Sequence, residues 1–204
     1  MYKDVSGIIL SGGKSQRIGT DKALLKLGNE TIIERVTNLM KSLFQKVLII
    51  TNTPSEYRFL NVQLYEDIYK QKGPLSGIHS GLTYSQTEKN FIISCDIPLM
   101  SPEMIKYVVE FKSDKTVRYC EAAGHHHHLA GIFSKSLLPE IEKIFLLKVK
   151  SSDKKEKFYS IEHLLKNIET EIIHPEGLPF FKDELFFNVN SPDDFEYLKK
   201  RVKF

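Results

Sequence analysis

Val5-Ser6-Gly7-Ile8-Ile9-Leu10-Ser11-Gly12-Gly13-Lys14-Ser15-Gln16-Arg17-Ile18-Gly19-Thr20-Asp21-Lys22 decides how the rest of the chain is read. Val5 to Leu10 is a short apolar run rich in β-branched residues, which predicts a buried strand. Ser11-Gly12-Gly13 ends it as a glycine turn. Three glycines, Gly12, Gly13 and Gly19, fall within one eight-residue window just after that strand. Glycine lets a ligand approach the backbone closely, and successive free N–H groups form a concavity that suits phosphate oxygens. Arg17 and Lys22 add fixed positive charge, Arg as a bidentate fork and Lys as a point charge. The spacing is neither G-x-x-x-x-G-K-[ST] nor G-x-G-x-x-G, so a P-loop and a dinucleotide fingerprint are both excluded.

Outward from this stretch the chain reads as an alternation of strands and helices. Thr31 and Glu34 have the spacing of a capping box, and Ile32, Val36, Leu39, Met40 and Leu43 follow at helical intervals. Val47 to Ile50 is a second continuous apolar run, Val62 to Tyr65 a weaker alternating one, and Phe91 to Cys95 a third buried strand. Ser101-Pro102-Glu103 places a cap, an N1 proline and an acid at a helix start, with Val108, Val109 and Phe111 continuing it. The second half is less regular: strands at Val117 to Ala123 and Leu129 to Phe133, a helix near Ser136 to Leu146, and a closing helix from Ser191. Lys148 to Lys157, with five lysines, reads as a solvated loop. Strands that are apolar throughout suit a mostly parallel mixed sheet covered by helices on both faces. In such sheets ligands sit at the carboxyl ends of the strands. Ser11-Gly12-Gly13, Asn52, Asp67 and Asp96 all follow predicted strands and are expected to cluster there.

Composition narrows the class. The 204 residues suit one domain, or at most two small ones, and 41% hydrophobic with 27% charged residues is enough for a real core. No run of 18 apolar residues exists, and the start of the sequence lacks a secretory pattern. Two cysteines, Cys95 and Cys120, are too few for a disulfide scaffold and point to a reducing cytoplasm. Twenty-nine basic against 26 acidic side chains give a net charge of +3, too balanced for a nucleic-acid surface. That excess is localised. From Leu10 to Gly28 the charges are Lys14, Arg17, Lys22 and Lys26 against Asp21, four minus one, the whole +3. A small anionic ligand, with neither nucleic acid nor membrane as partner, is the expectation.

The stretch Leu10 to Leu25 closely resembles the nucleotide-binding signature of the molybdenum cofactor guanylyltransferases, part of a wider group of nucleotidyltransferases that includes sugar-nucleotide pyrophosphorylases. The pyrophosphorylases tend to carry Pro-x-x-Lys where this chain has Thr20-Asp21-Lys22. The related cytidylyltransferases tend to end the strand in Ala-Ala-Gly, whereas Leu10-Ser11-Gly12-Gly13 looks like the guanine form, with Ser11 where Ala is usual. The resemblance runs nearly end to end. Gly73-Pro74-Leu75-Ser76-Gly77-Ile78 is similar to the family's second glycine loop, Cys95-Asp96-Ile97-Pro98 to its metal segment, and Asn188-Val189-Asn190-Ser191-Pro192 to its Asn-x-Asn-[Ser/Thr]-Pro motif.

The resemblance implies a single Rossmann-like nucleotidyltransferase domain over 1–204, with a nucleotide-binding part at about 1–115 and an acceptor-binding part at about 116–204. It implies transfer of GMP from GTP to molybdenum-molybdopterin, with release of pyrophosphate. Lys22, Arg17 and Asp96 are the implied catalytic residues. Leu10, Ser11, Gly12, Gly13, Asn52, Asp67 and Gly77, with Lys22 and Asp96, are implied to bind the nucleotide. Asp96 is the implied Mg²⁺ ligand, since Mg²⁺ is commonly held by one or two carboxylates plus substrate phosphates. Asn188 and Asn190 would complete the metal shell or hold the acceptor, while Asn190 or Ser191 also suits a helix cap. Asp67 and Asn52 are equally readable as cap and turn residues. His125 to His128 is read as a loop between strands, with His127 a candidate for the acceptor; alternate side chains on an extended chain exclude one ion bound by all four. A cytoplasmic monomer, in transient contact with other cofactor-biosynthesis proteins, completes the expectation. The rivals are a related enzyme using CTP or another acceptor, and a non-catalytic guanine-nucleotide binder.

Overall fold

The computed structural model describes residues 1–12, 21–147 and 159–202. Gly13, Lys14, Ser15, Arg17 and the lysine-rich stretch from Lys148 to Lys157 lie outside the described residues.

Strand β1 (Val5–Leu10) is buried along its whole length, as its unbroken apolar sequence requires. It sits between β4 (Val47–Ile50) and β6 (Lys89–Ser94), parallel to both, and β5 (Gln63–Tyr65) extends the sheet beside β4. On the other side come β8 (His125–Ser134), β7 (Val117–Ala122) and β9 (Thr170–Ile173), giving the order β5-β4-β1-β6-β8-β7-β9. In this seven-stranded sheet β8 alone runs against its neighbours. The expected mostly parallel mixed sheet is therefore present. A small hairpin, β2 (Lys26–Leu27) with β3 (Glu30–Thr31), stands apart from it.

Alternating residues of β1 feed two cores. Ile9 faces helix α1 (Ile32–Leu43) and helix α3 (Pro102–Glu110), among Ile33, Val36, Met40, Met104 and Ile105. Ile8 and Leu10 face helix α2 (Pro74–Tyr84), helix α4 (Leu138–Leu146) and the short helix α5 (Ile161–Leu165), among Leu75, Ile78, Ile141 and Leu164. Helices thus cover both faces. Fully burying one such aliphatic side chain stabilises the fold by roughly 1.5–3 kcal/mol.

Local signals set the element ends. Thr31 and Glu34 form the capping box of α1, with Thr31 N donating to Glu34 Oε2 at 2.6 Å and Glu34 N to Thr31 Oγ1 at 3.3 Å. Those bonds from Thr31 hold the Glu34 carboxyl below its ordinary range. Ser101 caps α3, and Pro102 opens it. Gly73 precedes α2 at φ +60°, and a Cβ there would meet the Tyr159 carbonyl at 3.0 Å. Glycine is required on both counts.

Several expectations are corrected. His125 to His128 is not a loop: it is the first part of β8, with His125, His126 and His127 paired to Ala122, Glu121 and Cys120 of β7. Hydrogen bonding along the ladder and aromatic neighbours on both faces offset the polarity of the run. Phe111 is the C-cap of α3 rather than part of it. A 3-10 turn, Lys135–Leu137, precedes α4. Strand β9, helix α5 and the 3-10 turn Pro54–Leu60 have no counterpart in the sequence reading. Among the described residues, no helix is long and apolar enough to cross a membrane.

Candidate active site

The carboxyl ends of β1, β4, β5 and β6 open on one edge of the sheet. Asp96 leaves β6 through Cys95, whose N–H donates to the Leu10 carbonyl at 3.0 Å. Lys22 opens a 3-10 turn, Lys22–Leu24, capped by Asp21. From the far end of the sequence come Val189 and Asn190, just before helix α6 (Pro192–Arg201). Lys22 joins all three. Its Nζ donates to Asp96 Oδ2 at 3.0 Å, to the Val189 carbonyl at 3.0 Å and to Asn190 Oδ1 at 3.3 Å. An ammonium has three protons, so each has an acceptor.

The scaffold fixes each partner. Val189 is fully buried in a small third core with Leu27, Ile32 and Leu198, which holds its carbonyl in place. Its N–H donates to the Asp96 carbonyl at 3.0 Å, tying the C-terminal segment to the loop after β6. Ser191 caps α6, and Asp194 Oδ2 accepts from the N–H groups of Asn190 and Ser191, both at 2.8 Å. Burial raises the Asp194 carboxyl, and these bonds outweigh it and hold it below its ordinary range. Helix capping therefore positions Asn190, while its side chain reaches Lys22. Asn188, two residues before Asn190, is exposed as well. On α1, Arg35 steadies the Asp96 loop, with Nε donating to the Pro98 carbonyl at 3.0 Å and Nη1 to Glu30 at 2.9 Å.

Asp96 keeps one oxygen in reserve. Oδ2 is taken by Lys22, while Oδ1 is buried with no hydrogen-bond partner. An unpaired buried carboxylate oxygen costs free energy unless a cation or donor meets it. Among the described residues no cluster of three or more His, Cys, Asp or Glu side chains could hold a metal by itself. One carboxylate oxygen completed by water and substrate phosphates is nevertheless a fit for Mg²⁺, a hard cation that keeps much of its own hydration.

A second pair lies at the ends of β4 and β5. Asn52 Nδ2 donates to Asp67 Oδ2 at 2.8 Å, and Asp67 Oδ1 is buried without a partner. Burial raises the Asp67 carboxyl above its ordinary value, against the lowering effect of Asn52 and Lys70. A half-buried carboxylate with an idle oxygen suits a ligand that presents N–H donors.

The remaining expected residues hold varied places. Ser11 is buried; its N–H donates to the Ile50 carbonyl at 2.9 Å and its hydroxyl meets Tyr57 at 2.9 Å. Neither group faces outward, so Ser11 does not offer its amide to a phosphate. Gly12 lies outside the left-handed region and has open space where a Cβ would stand. Gly77 sits on α2, where a Cβ would come within 3.2 Å of Leu10 Cδ2, so this glycine and Leu10 set the approach of α2 to β1. His127 stacks on Phe186 at 4.2 Å with its Nε2 3.3 Å from the Ala122 carbonyl, and burial lowers its pKa. His126 and His128 stack on each other on the opposite face, edge-on to Tyr119. Burial pushes the Cys95 thiol up to about 12, with Asp96 adding to the shift, so it is no nucleophile. A cavity of about 540 Å³ opens at the amino ends of β1 and β4, lined by Ser6, Lys46 and Leu48 among others. It contains none of these groups, and side-chain chemistry rather than concavity marks the site.

Sequence reasoning missed three participants: the Val189 carbonyl, Arg35 and Tyr57. The first is a backbone group and the other two act across the fold, beyond any local signal. Asp21 caps the Lys22–Leu24 turn, and an Asp directly before that turn is the residue type that favours such a place.

Residues 7–164 match the family model described as "MobA-like NTP transferase domain". The chain belongs to the molybdenum cofactor guanylyltransferase family. A relative from Carboxydothermus hydrogenoformans is 37% identical over 194 residues, spanning 94% of this chain and 93% of its own. One from Aquifex aeolicus is 34% identical over 188 residues, spanning 91% and 86%. Both carry the name "Probable molybdenum cofactor guanylyltransferase". The crystal structure of molybdopterin-guanine dinucleotide biosynthesis protein A from Archaeoglobus fulgidus superposes with a TM-score of 0.79 at 21% identity, over 96% of this chain and 97% of that one, a likeness of fold. As a member of this family the chain is a nucleotidyltransferase, and Lys22, Asp96 and Asn190 stand at the end of the sheet where such folds place their ligands.

Proposed function

We propose that the chain transfers GMP from GTP to molybdenum-molybdopterin. A terminal phosphate oxygen of the pterin attacks the α-phosphorus, the bond to the β-phosphate oxygen breaks, and pyrophosphate leaves. The nucleophile is already an anion, so no strong base is needed. The barrier is dominated by bringing negative groups together, and positioning and charge neutralisation lower it. The observation that carries the reading is the meeting of Lys22, Asp96 and Asn190 with one buried Asp96 oxygen unused.

In this reading Lys22 exchanges its Asn190 bond for an α-phosphate oxygen. Asn190 is then freed to face the acceptor, beside the exposed Asn188. Arg17, outside the described residues, balances charge on the leaving pyrophosphate. Asp96 would hold Mg²⁺ through Oδ1, and the ion when bound supplies neutralising charge to phosphate oxygens. Asp67 would accept from the N1–H and exocyclic amino group of guanine, with Asn52 orienting it. The nucleotide part runs over about 1–115 and the acceptor part over about 116–204. Phe186 covers one face of His127, so an acceptor would meet the rest of that ring. The two free, buried cysteines fit a reducing cytoplasm.

The test is turnover with GTP, CTP, ATP and UTP in the presence of Mg²⁺ and molybdenum-molybdopterin, scored as pyrophosphate. GTP alone is expected to support rapid release. Equal or faster turnover with CTP would move the chain to a cytidylyl-transfer role. Tight GTP binding with no pyrophosphate would make it a binder instead.

A further inference from the structure

Tyr57 lies on the 3-10 turn Pro54–Leu60, and its side chain is wholly buried. Its phenol oxygen meets Ser11 Oγ at 2.9 Å and also contacts Asp21 Oδ2. Those two residues flank the glycine-rich stretch. Ser11 leaves β1, and Asp21 caps the turn that begins at Lys22. A phenol has one proton, and a carboxylate only accepts. The phenol proton therefore goes to Asp21, and the Ser11 hydroxyl donates to the phenol oxygen. The chain of bonds has one direction, from Ser11 through Tyr57 to Asp21. The other Asp21 oxygen accepts the Ala23 N–H at 3.0 Å, and the Asp21 carbonyl accepts the Leu24 N–H at 3.0 Å. These bonds shape the turn on which Lys22 is the first residue.

We propose that Tyr57 is a positioning residue of the nucleotidyl-transfer site: one phenol oxygen ties the two ends of the glycine-rich stretch together and, through Asp21, sets the place of Lys22. Its effect on turnover rests on the role given to Lys22 above; its effect on the Asp21 turn does not. Packing alone does not account for the residue. A phenylalanine would fill the same space without burying an oxygen that must be paired. Here the hydroxyl donates to one end of the stretch and accepts from the other. Burial and the bond to Asp21 hold the phenol well above its ordinary pKa, so it remains a proton donor through the working pH range.

Tyr57→Phe keeps the ring and removes the oxygen. Ser11→Ala cuts one link and leaves the Tyr57–Asp21 bond. Both variants and the double variant are measured for kcat/KM with GTP, and for amide exchange at Ala23, Leu24 and Leu25. Tyr57→Phe is expected to lower kcat/KM about ten- to a hundredfold, the range of one hydrogen bond to a charged group. Ser11→Ala is expected to cost about two- to fivefold, as for a neutral hydrogen bond. The double variant should match Tyr57→Phe, because both substitutions cut one chain. Exchange at the three amides should quicken in Tyr57→Phe while β1 stays protected. Parental exchange at these amides overturns the proposal, and so does quickened exchange with parental turnover. A parental chain that releases no pyrophosphate would sink the transfer reading instead. The exchange comparison then decides the clamp by itself, quickening supporting it and parental exchange overturning it.

Discussion

Replacing Lys22 with Met keeps most of the aliphatic stem and deletes three charge-assisted bonds, to Asp96, Val189 and Asn190. Two consequences separate. For stability, the pair with Asp96 is partly shielded, at 22% and 18% side-chain exposure, so it is neither a free surface pair nor a deeply buried one. Losing it leaves the Asp96 carboxylate without its cation and costs about 1.5–3 kcal/mol, as for hydrogen bonds to charged groups. For a chain of this size that is a fall in Tm of roughly 3–12 °C. For turnover, removing one preorganised donor from an oxyanion site costs about 2.7–4 kcal/mol, on the order of a hundred- to a thousandfold in kcat. The uncompensated Asp96 charge then repels the triphosphate, so the loss should sit at the upper end. The assay is steady-state pyrophosphate release at saturating GTP, with Tm followed by calorimetry. A folded Lys22→Met enzyme within threefold of parental kcat would show that Lys22 only braces the C-terminal segment and takes no part in transfer.

Further outcomes follow from other sites. Asp96→Ala should leave a folded chain in which transfer is lost, and near-normal pyrophosphate release would remove Asp96 from the chemistry. Asp67 carries a carboxyl raised by burial in the folded state, so its contribution to stability is full at low pH and is lost as pH rises through its folded pKa. Asp67→Asn should therefore raise Tm at pH 7, with the gain closing as pH falls into the ordinary carboxylate range, while preference for GTP over CTP drops; a lower Tm at pH 7 would contradict this. Gly81→Ala would put a Cβ 2.8 Å from Ile8 Cγ2. About 1–3 kcal/mol of overpacking is expected, seen as a lower denaturation midpoint, and an unchanged midpoint would show that α2 shifts freely. Cys95 and Cys120 are buried with thiols pushed up to about 12, so a thiol reagent should label neither in the native chain and both after unfolding.

What the sequence disclosed was local. The strand at Val5 to Leu10, the Thr31–Glu34 box and the Ser101-Pro102 start were readable because short-range periodicity and capping decide them. The Asn188–Ser191 motif was readable both as a functional segment and as a cap, and Asn190 takes part in both sets of bonds. The histidine run misled because polarity resembles a loop, while its strand state depends on register with β7 and on stacking against Tyr119 and Phe186. Strand β9 is short and only half-buried at the sheet edge, so it leaves no strong pattern. Tyr57 reaches Asp21 across 36 residues and Ser11 across 46, and Lys22 reaches Asn190 across 168. Such contacts are products of the topology and leave no mark in local spacing.

Following phosphorus gives the decisive test of guanylyl transfer. GTP labelled at the α-phosphate, and separately at the γ-phosphate, is incubated with the chain, Mg²⁺ and molybdenum-molybdopterin. The α-label should appear in a pterin-linked dinucleotide and the γ-label in pyrophosphate, both abolished by Lys22→Met. An α-label that remains in GTP or emerges as free GDP or GMP, with no pterin-linked product, would contradict guanylyl transfer at Lys22 and Asp96.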